Sequence, residues 1–279
     1  MPAARALRAL ALCAAVAVVP PEPARAGEGP APLRWEPRRD LAVTAAAVAA
    51  WVGSELAKER LAPSSCRFCG TNALDADARY ALVWSNDARA RRGSDVVVFG
   101  LLPGAIAAHQ LLAARAGGDV QEGLVDLLVI VQATALAADL NQLVKFSVGR
   151  QRPFVHYGNY ATADRAPDAD DDVSFYSGHT SLAFALASAA GTVSSLRGYR
   201  TAPWVWATGL ALAAGTGYLR IAADKHYLTD VLTGAVVGTA FGVGLPRLLH
   251  GREKPGAGER GGGVAVTFVP LPLGVHVAF

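Results

Sequence analysis

Apolar residues gather into six stretches along the chain, at 41–56, 96–113, 124–148, 179–196, 204–219 and 228–249, separated by polar or glycine-bearing turns. Four of them approach or exceed the roughly 18 residues that a helix needs to cross a bilayer, whereas the first is short and dominated by alanine. Lipid tolerates no unpaired strand edge, so the pattern predicts an all-α fold, a helical bundle of five or six mostly transmembrane helices. Before the first stretch, Arg5 and Arg8, an apolar run over 9–19 and the triplet Ala24-Arg25-Ala26 read as an export signal cleaved before Gly27. The organisation that follows is a signal over 1–26, an exported linker with a marginal helix over 27–95, the bundle over 96–250 and a flexible tail over 251–279 that contains Gly261-Gly262-Gly263.

Composition places the 279-residue chain between soluble and wholly membrane-buried proteins, since 52% of its residues are hydrophobic and 18% charged. A net charge of +3, with no interleaving of basic and aromatic residues, excludes a nucleic-acid partner. Cys66 and Cys69 are spaced C-x-x-C with no second pair or nearby histidine, which rules out a four-ligand zinc site of their own. In an exported chain this pair is expected as a local disulfide.

Membrane orientation has two solutions. With a cleaved signal and six spans, the loop after the third stretch lies in the cytoplasm. With 41–56 on the membrane surface, or with an uncleaved non-spanning N-terminus, that loop faces the exported side. The second solution puts Arg197, Arg200, Arg247, Arg252 and Lys254 inside, as positive loops prefer. That solution places the protein in a bacterial-type inner membrane with its working face on the periplasmic side.

Three segments at the ends of apolar stretches carry chemistry. Lys145-Phe146-Ser147-Val148-Gly149-Arg150-Gln151-Arg152-Pro153 ends the longest stretch, with Gly149 and Pro153 as helix stops. Alone, its cations are ordinary snorkelling anchors. Ser177-Gly178-His179 opens the fourth stretch, with Ser177 as N-cap and Gly178 admitting close approach of an anion to free backbone N–H groups. Arg220, His226 and Asp230 lie between the fifth and sixth stretches. A helical spacing of four puts the Asp230 carboxylate beside the His226 imidazole, where it can fix the tautomer and raise the basicity of the other nitrogen.

Together these segments resemble the three-part signature of the type-2 phosphatidic acid phosphatase superfamily, which includes class A acid phosphatases and vanadium haloperoxidases. Lys145, Arg152 and Pro153 match its Lys, six residues, Arg-Pro pattern, and Ser177, Gly178 and His179 match its Pro-Ser-Gly-His core, with Tyr176 in place of the proline. Arg220, His226 and Asp230 match its Ser-Arg, five residues, His, three residues, Asp pattern, with Leu219 in place of the serine. Every charged or nucleophilic position is retained.

The resemblance implies a phosphatase whose active site lies at helix ends on one membrane face. Lys145, Arg152 and Arg220 would bind the phosphate oxygens, helped by the Ser177 hydroxyl and the Gly178 N–H. His226 would attack phosphorus, Asp230 would orient it, and His179 would protonate the leaving alcohol and then help activate water. Three cations replace a metal in this scheme, so no metal or other cofactor is implied. The partners implied are a lipid phosphate or pyrophosphate substrate and the membrane, with no obligate protein partner. The acidic run Asp164, Asp168, Asp170, Asp171 and Asp172 falls outside the signature and reads as a solvated loop. Three other readings compete: an exported non-specific acid phosphatase, a non-catalytic lipid-binding bundle with the charges as anchors, and a vanadate-dependent haloperoxidase, for which membrane-like helices have no use.

Overall fold

The computed structural model describes residues 30–158 and 168–252. Nine helices follow in order among them: α1 (Pro37–Leu56), α2 (Lys58–Leu61), α3 (Ala73–Leu82), α4 (Asp87–Ala116), α5 (Val120–Val148), α6 (Pro153–His156), α7 (Gly178–Arg197), α8 (Ala202–Ala222) and α9 (Leu228–His250). No strand occurs among the described residues, and only isolated bridges pair Leu33 with Arg252 and Phe68 with Arg150. Helix α4 is continuous but loosens into a π turn over Val97–Leu101.

Local chemistry sets the boundaries. The Asn72 side chain caps α3 by accepting from the Asp75 N–H, and Asp119 caps α5 by accepting from the Gln121 N–H. Helix α5 stops where Gly149 takes φ 62°, a left-handed cap that glycine adopts without penalty. Ser177 caps α7, as its sequence position predicts.

Helix α7 is the hub, packed on by α9, α8, α5 and α4. Its small buried residues, among them Ala183, Ala187, Ala190 and Gly191, let neighbouring backbones come close. On α9 the matching stripe is Gly234, Gly238 and Gly242, where a Cβ at Gly234 would stand 2.7 Å from the Ser177 carbonyl oxygen.

Each of the six apolar stretches forms one of the long helices. Three of these, α4, α5 and α9, are long and apolar enough to cross a membrane. The sequence suggested four. Helix α7 departs from that expectation because its Ser, Thr and Gly residues lower its hydropathy, and as the hub it faces other helices rather than lipid. Helices α2 and α3 and the charged opening turns of α4 had no apolar period to announce them.

Helix α1 lies alongside α5 and runs in the same direction. The Gln132 amide donates to the Asp40 carbonyl at one end (3.4 Å), while Trp51 and Glu55 reach the Lys145 end of α5 at the other. A helix laid flat across the bundle end, one of the arrangements considered for 41–56, does not have this course. Arg197, counted above as a loop charge, is instead buried. Its Nε donates to Asp126 (2.6 Å) and its guanidinium pairs with Glu122, while the Tyr199 hydroxyl donates to the other Asp126 oxygen (2.9 Å). A charge consumed inside the bundle says little about loop orientation. The expected signal over 1–26, Asp164, Lys254 and the glycine-rich tail lie outside the described residues.

Candidate active site

Because long helices alternate in direction, the end of α5, the start of α7, the end of α8 and the start of α9 meet at one end of the bundle. They surround a cavity of about 540 Å³. Of the eight residues singled out in the sequence, Lys145, Arg152, Gly178, His179, Arg220 and His226 line it, while Ser177 and Asp230 stand behind its wall.

His226 is buried just before α9. Its Nδ1 lies 2.8 Å from the Ser174 carbonyl oxygen. A carbonyl only accepts, so Nδ1 carries the proton and Nε2 keeps its lone pair on the cavity side. Arg152 Nη1 donates towards that lone pair at 3.2 Å. Burial, reinforced by Arg152, Arg220 and Lys145, holds the imidazole well below its ordinary protonation range. The site therefore presents a neutral, tautomer-fixed imidazole to an anion.

Asp230 differs from its expected role. Its Oδ2 is 3.7 Å from His226 Nδ1, beyond hydrogen-bond range, because His226 precedes the helix and the two residues do not share a helical face. The carboxylate instead accepts from the Ser174 hydroxyl (2.6 Å), the Tyr227 N–H (3.0 Å) and Arg150 Nη1 (2.6 Å). It thus fixes Ser174, whose carbonyl in turn fixes His226. The histidine that does hold a carboxylate is His179, whose Nε2 lies 2.9 Å from Asp95 Oδ1.

Ser177 is fully buried, and its hydroxyl is engaged with the Thr180 hydroxyl (2.9 Å), so it serves the helix cap. Gly178 does admit close approach: a Cβ there would come within 2.8 Å of Asn141 Oδ1 and 3.0 Å of Lys145 Nζ. The Asn141 amide donates to the Tyr176 carbonyl (2.8 Å), which ties α5 to the turn entering α7. Arg220 is 5% exposed. Its Nη1 donates to the Ser94 hydroxyl (3.2 Å), and its buried Nε has no partner among the described residues, which leaves a donor for a ligand.

Several residues of the site had not been singled out. Asp170, read as part of a solvated loop, enters the cavity, where its Oδ1 accepts from Arg152 Nη2 (2.9 Å) and also pairs with Lys58. Arg150 spans the buried carboxylates of Asp75 and Asp230. Asp95, the last residue before the second apolar stretch, was visible as a charge at a membrane boundary but had no motif to mark it. Cys66 and Cys69 are joined in a disulfide with Cα atoms 5.5 Å apart. Their loop docks on the same end of the bundle, since the Arg67 N–H donates to the Gly149 carbonyl (2.8 Å) and the Gln151 N–H to the Phe68 carbonyl (3.0 Å). Among the described residues, no three His, Cys, Asp or Glu side chains converge as a metal-ligand set.

An all-helical bundle with a cationic, two-histidine cavity at one end defines the class. Residues 126–254 match the model of the PAP2 superfamily, and the six singled-out residues that line the cavity all fall within that match. The chain is also 38% identical over 88 residues to a lipid A 1-phosphatase of Porphyromonas gingivalis. That match spans 32% of this chain and 19% of the relative's length. No solved structure matches the chain.

Proposed function

We propose that the protein is a membrane-embedded phosphatase that hydrolyses a phosphate monoester or pyrophosphate of a lipid through a phosphohistidine on His226. The observation that carries this reading is the pairing of a neutral His226, its Nε2 lone pair on the cavity side, with the three cations Lys145, Arg152 and Arg220 around one cavity. Phosphoryl transfer asks of a protein chiefly positioning and charge neutralisation around three equatorial oxygens.

In the proposed cycle the substrate phosphate lies against Lys145, Arg152, Arg220 and the Gly178 N–H. His226 Nε2 attacks phosphorus as the bond to the leaving oxygen breaks, and His179, which takes up a proton beside Asp95 once the bound phosphate offsets the surrounding cations, gives that oxygen its proton. Neutral His179 then takes a proton from water as the water attacks the phosphohistidine, which releases inorganic phosphate and restores both imidazoles. Asp230 acts one step removed, through Ser174.

A lipid substrate is supported by the apolar part of the cavity lining, Trp51, Phe99 and Leu182, and by the three long apolar helices. The name of the relative puts lipid A first among lipids to test. An exported-side active site is supported by the disulfide at the same end of the bundle, because such bonds persist in oxidising compartments.

The deciding experiment measures phosphate release by the detergent-purified chain from phosphatidic acid, phosphatidylglycerol phosphate, an isoprenyl pyrophosphate, lipid A and a water-soluble monoester. Turnover of at least one lipid well above the soluble ester is expected. Turnover of the soluble ester alone would replace this reading with a non-specific acid phosphatase, and no turnover of any would favour a lipid-binding bundle.

A further inference from the structure

Arg152 has no idle nitrogen. Its Nε donates to the Asp170 carbonyl (2.5 Å), its Nη2 to Asp170 Oδ1 (2.9 Å), and its Nη1 to the Lys225 carbonyl (3.0 Å) and towards His226 Nε2 (3.2 Å). The guanidinium is planar and presents five donors in a fixed fork, of which four are engaged, so a phosphate oxygen gains more of Arg152 than one Nη2 N–H only by displacing a present partner. Two of these partners are backbone carbonyls set by the loops. The movable ones are the His226 lone pair and the Asp170 carboxylate.

We propose that Asp170 is a built-in counter-anion of the phosphate site: its carboxylate engages Arg152 and Lys58 while the cavity is empty, yields them to an arriving phosphate and returns as phosphate leaves. This rests on the phosphate-site reading above. It makes Asp170 a residue that sets affinity for phosphate rather than one that touches the reacting atoms.

Three observations converge on it. The Asp170 side chain is 34% exposed in a cavity where Arg152 is 3% exposed, so it can swing towards solvent while the arginine stays. Burial alone would raise its carboxyl, but Arg152 and Lys58 outweigh burial and hold it far below the ordinary carboxylate range, so the competing charge is present at any working pH. Lys58, on α2, lies outside the PAP2-matched residues 126–254 and pairs with Glu55 as well as Asp170. A displaced Asp170 therefore leaves Lys58 with an acidic neighbour rather than as a bare cation. A carboxylate bonded to the cation that must bind phosphate weakens that binding, and the same weakening speeds release of product phosphate.

Calorimetric titration of inorganic phosphate into the purified full chain tests this directly. Asp170→Asn, which keeps size and removes charge, should bind phosphate at least tenfold more tightly than the unaltered chain, with KM and kcat both lowered as release slows. Asp170→Ser should behave alike, and Asp170→Glu, which keeps the charge, should stay within threefold of the unaltered chain. Equal or weaker binding in both neutral variants would overturn the proposal and leave Asp170 as a positioning group for Arg152. Failure of every form to bind phosphate would instead overturn the phosphate-site reading, and this proposal with it.

Discussion

Arg150 Nη1 lies 2.6 Å from Asp230 Oδ1, and the same guanidinium holds Asp75 through Nη2 at 2.7 Å. Both carboxylates are fully buried, so Arg150 is the cation that lets two acids sit behind the cavity wall. Arg150→Met should strand both charges and cost about 3–5 kcal/mol, the usual penalty for removing one partner of a buried ion pair. Thermal unfolding in detergent reads this out. A change under about 1 kcal/mol, the range of surface pairs, would mean that the cluster is more hydrated than its geometry implies.

The neutral state of His226 has a pH signature. Its folded protonation lies well below the ordinary value of 6.5 because of burial and the neighbouring cations. As pH falls through that value, the unfolded chain takes up a proton that the folded chain refuses, so this residue's contribution to stability declines with acidification. Histidine-selective ¹⁵N NMR, with the resonance assigned by its loss in His226→Gln, should show an unprotonated Nε2 and a protonated Nδ1 through pH 5.5. Titration near 6.5 would contradict the account of the site's electrostatics.

Gly178→Ala should lower turnover at least tenfold with little loss of stability. The added Cβ meets Asn141 Oδ1 at 2.8 Å and Lys145 Nζ at 3.0 Å, so the lysine must move off its position in the cavity. Wild-type kinetics in this variant would show that Lys145 tolerates displacement and does not set phosphate binding.

Much of this site was legible in the sequence because helix ends announce themselves. Gly149, Ser177 and the apolar stretches fixed where α5 ends and α7 begins, and the spacing from Arg220 to Asp230 marked the third segment. Contacts between residues far apart in the chain were not legible. Asp170 reaches Lys58 across 112 positions, and Asp95 reaches His179 across 84, with no local period to signal either. The i to i+4 rule also misplaced Asp230, because it assumes a helix that begins before His226, whereas α9 begins at Leu228.

The Cys66–Cys69 bond closes a loop of three positions, and closing so short a loop is worth at most about 2 kcal/mol by chain entropy. Serine at both positions should therefore leave the fold and most activity in place. After reduction, an impermeant thiol reagent applied to intact cells should label both cysteines, because their loop shares the active-site end of the bundle. Labelling only after the inner membrane is permeabilised would put that end in the cytoplasm.

The central claim, covalent catalysis by His226, is tested most directly by quenching a reaction with ³²P-labelled lipid substrate in alkali and identifying the labelled residue. The account predicts an acid-labile, alkali-stable phosphoramidate at His226 in the unaltered chain and no label in His226→Ala. Labelled phosphate released by His226→Ala at the unaltered rate, or a phosphoryl group found on a serine, would contradict it.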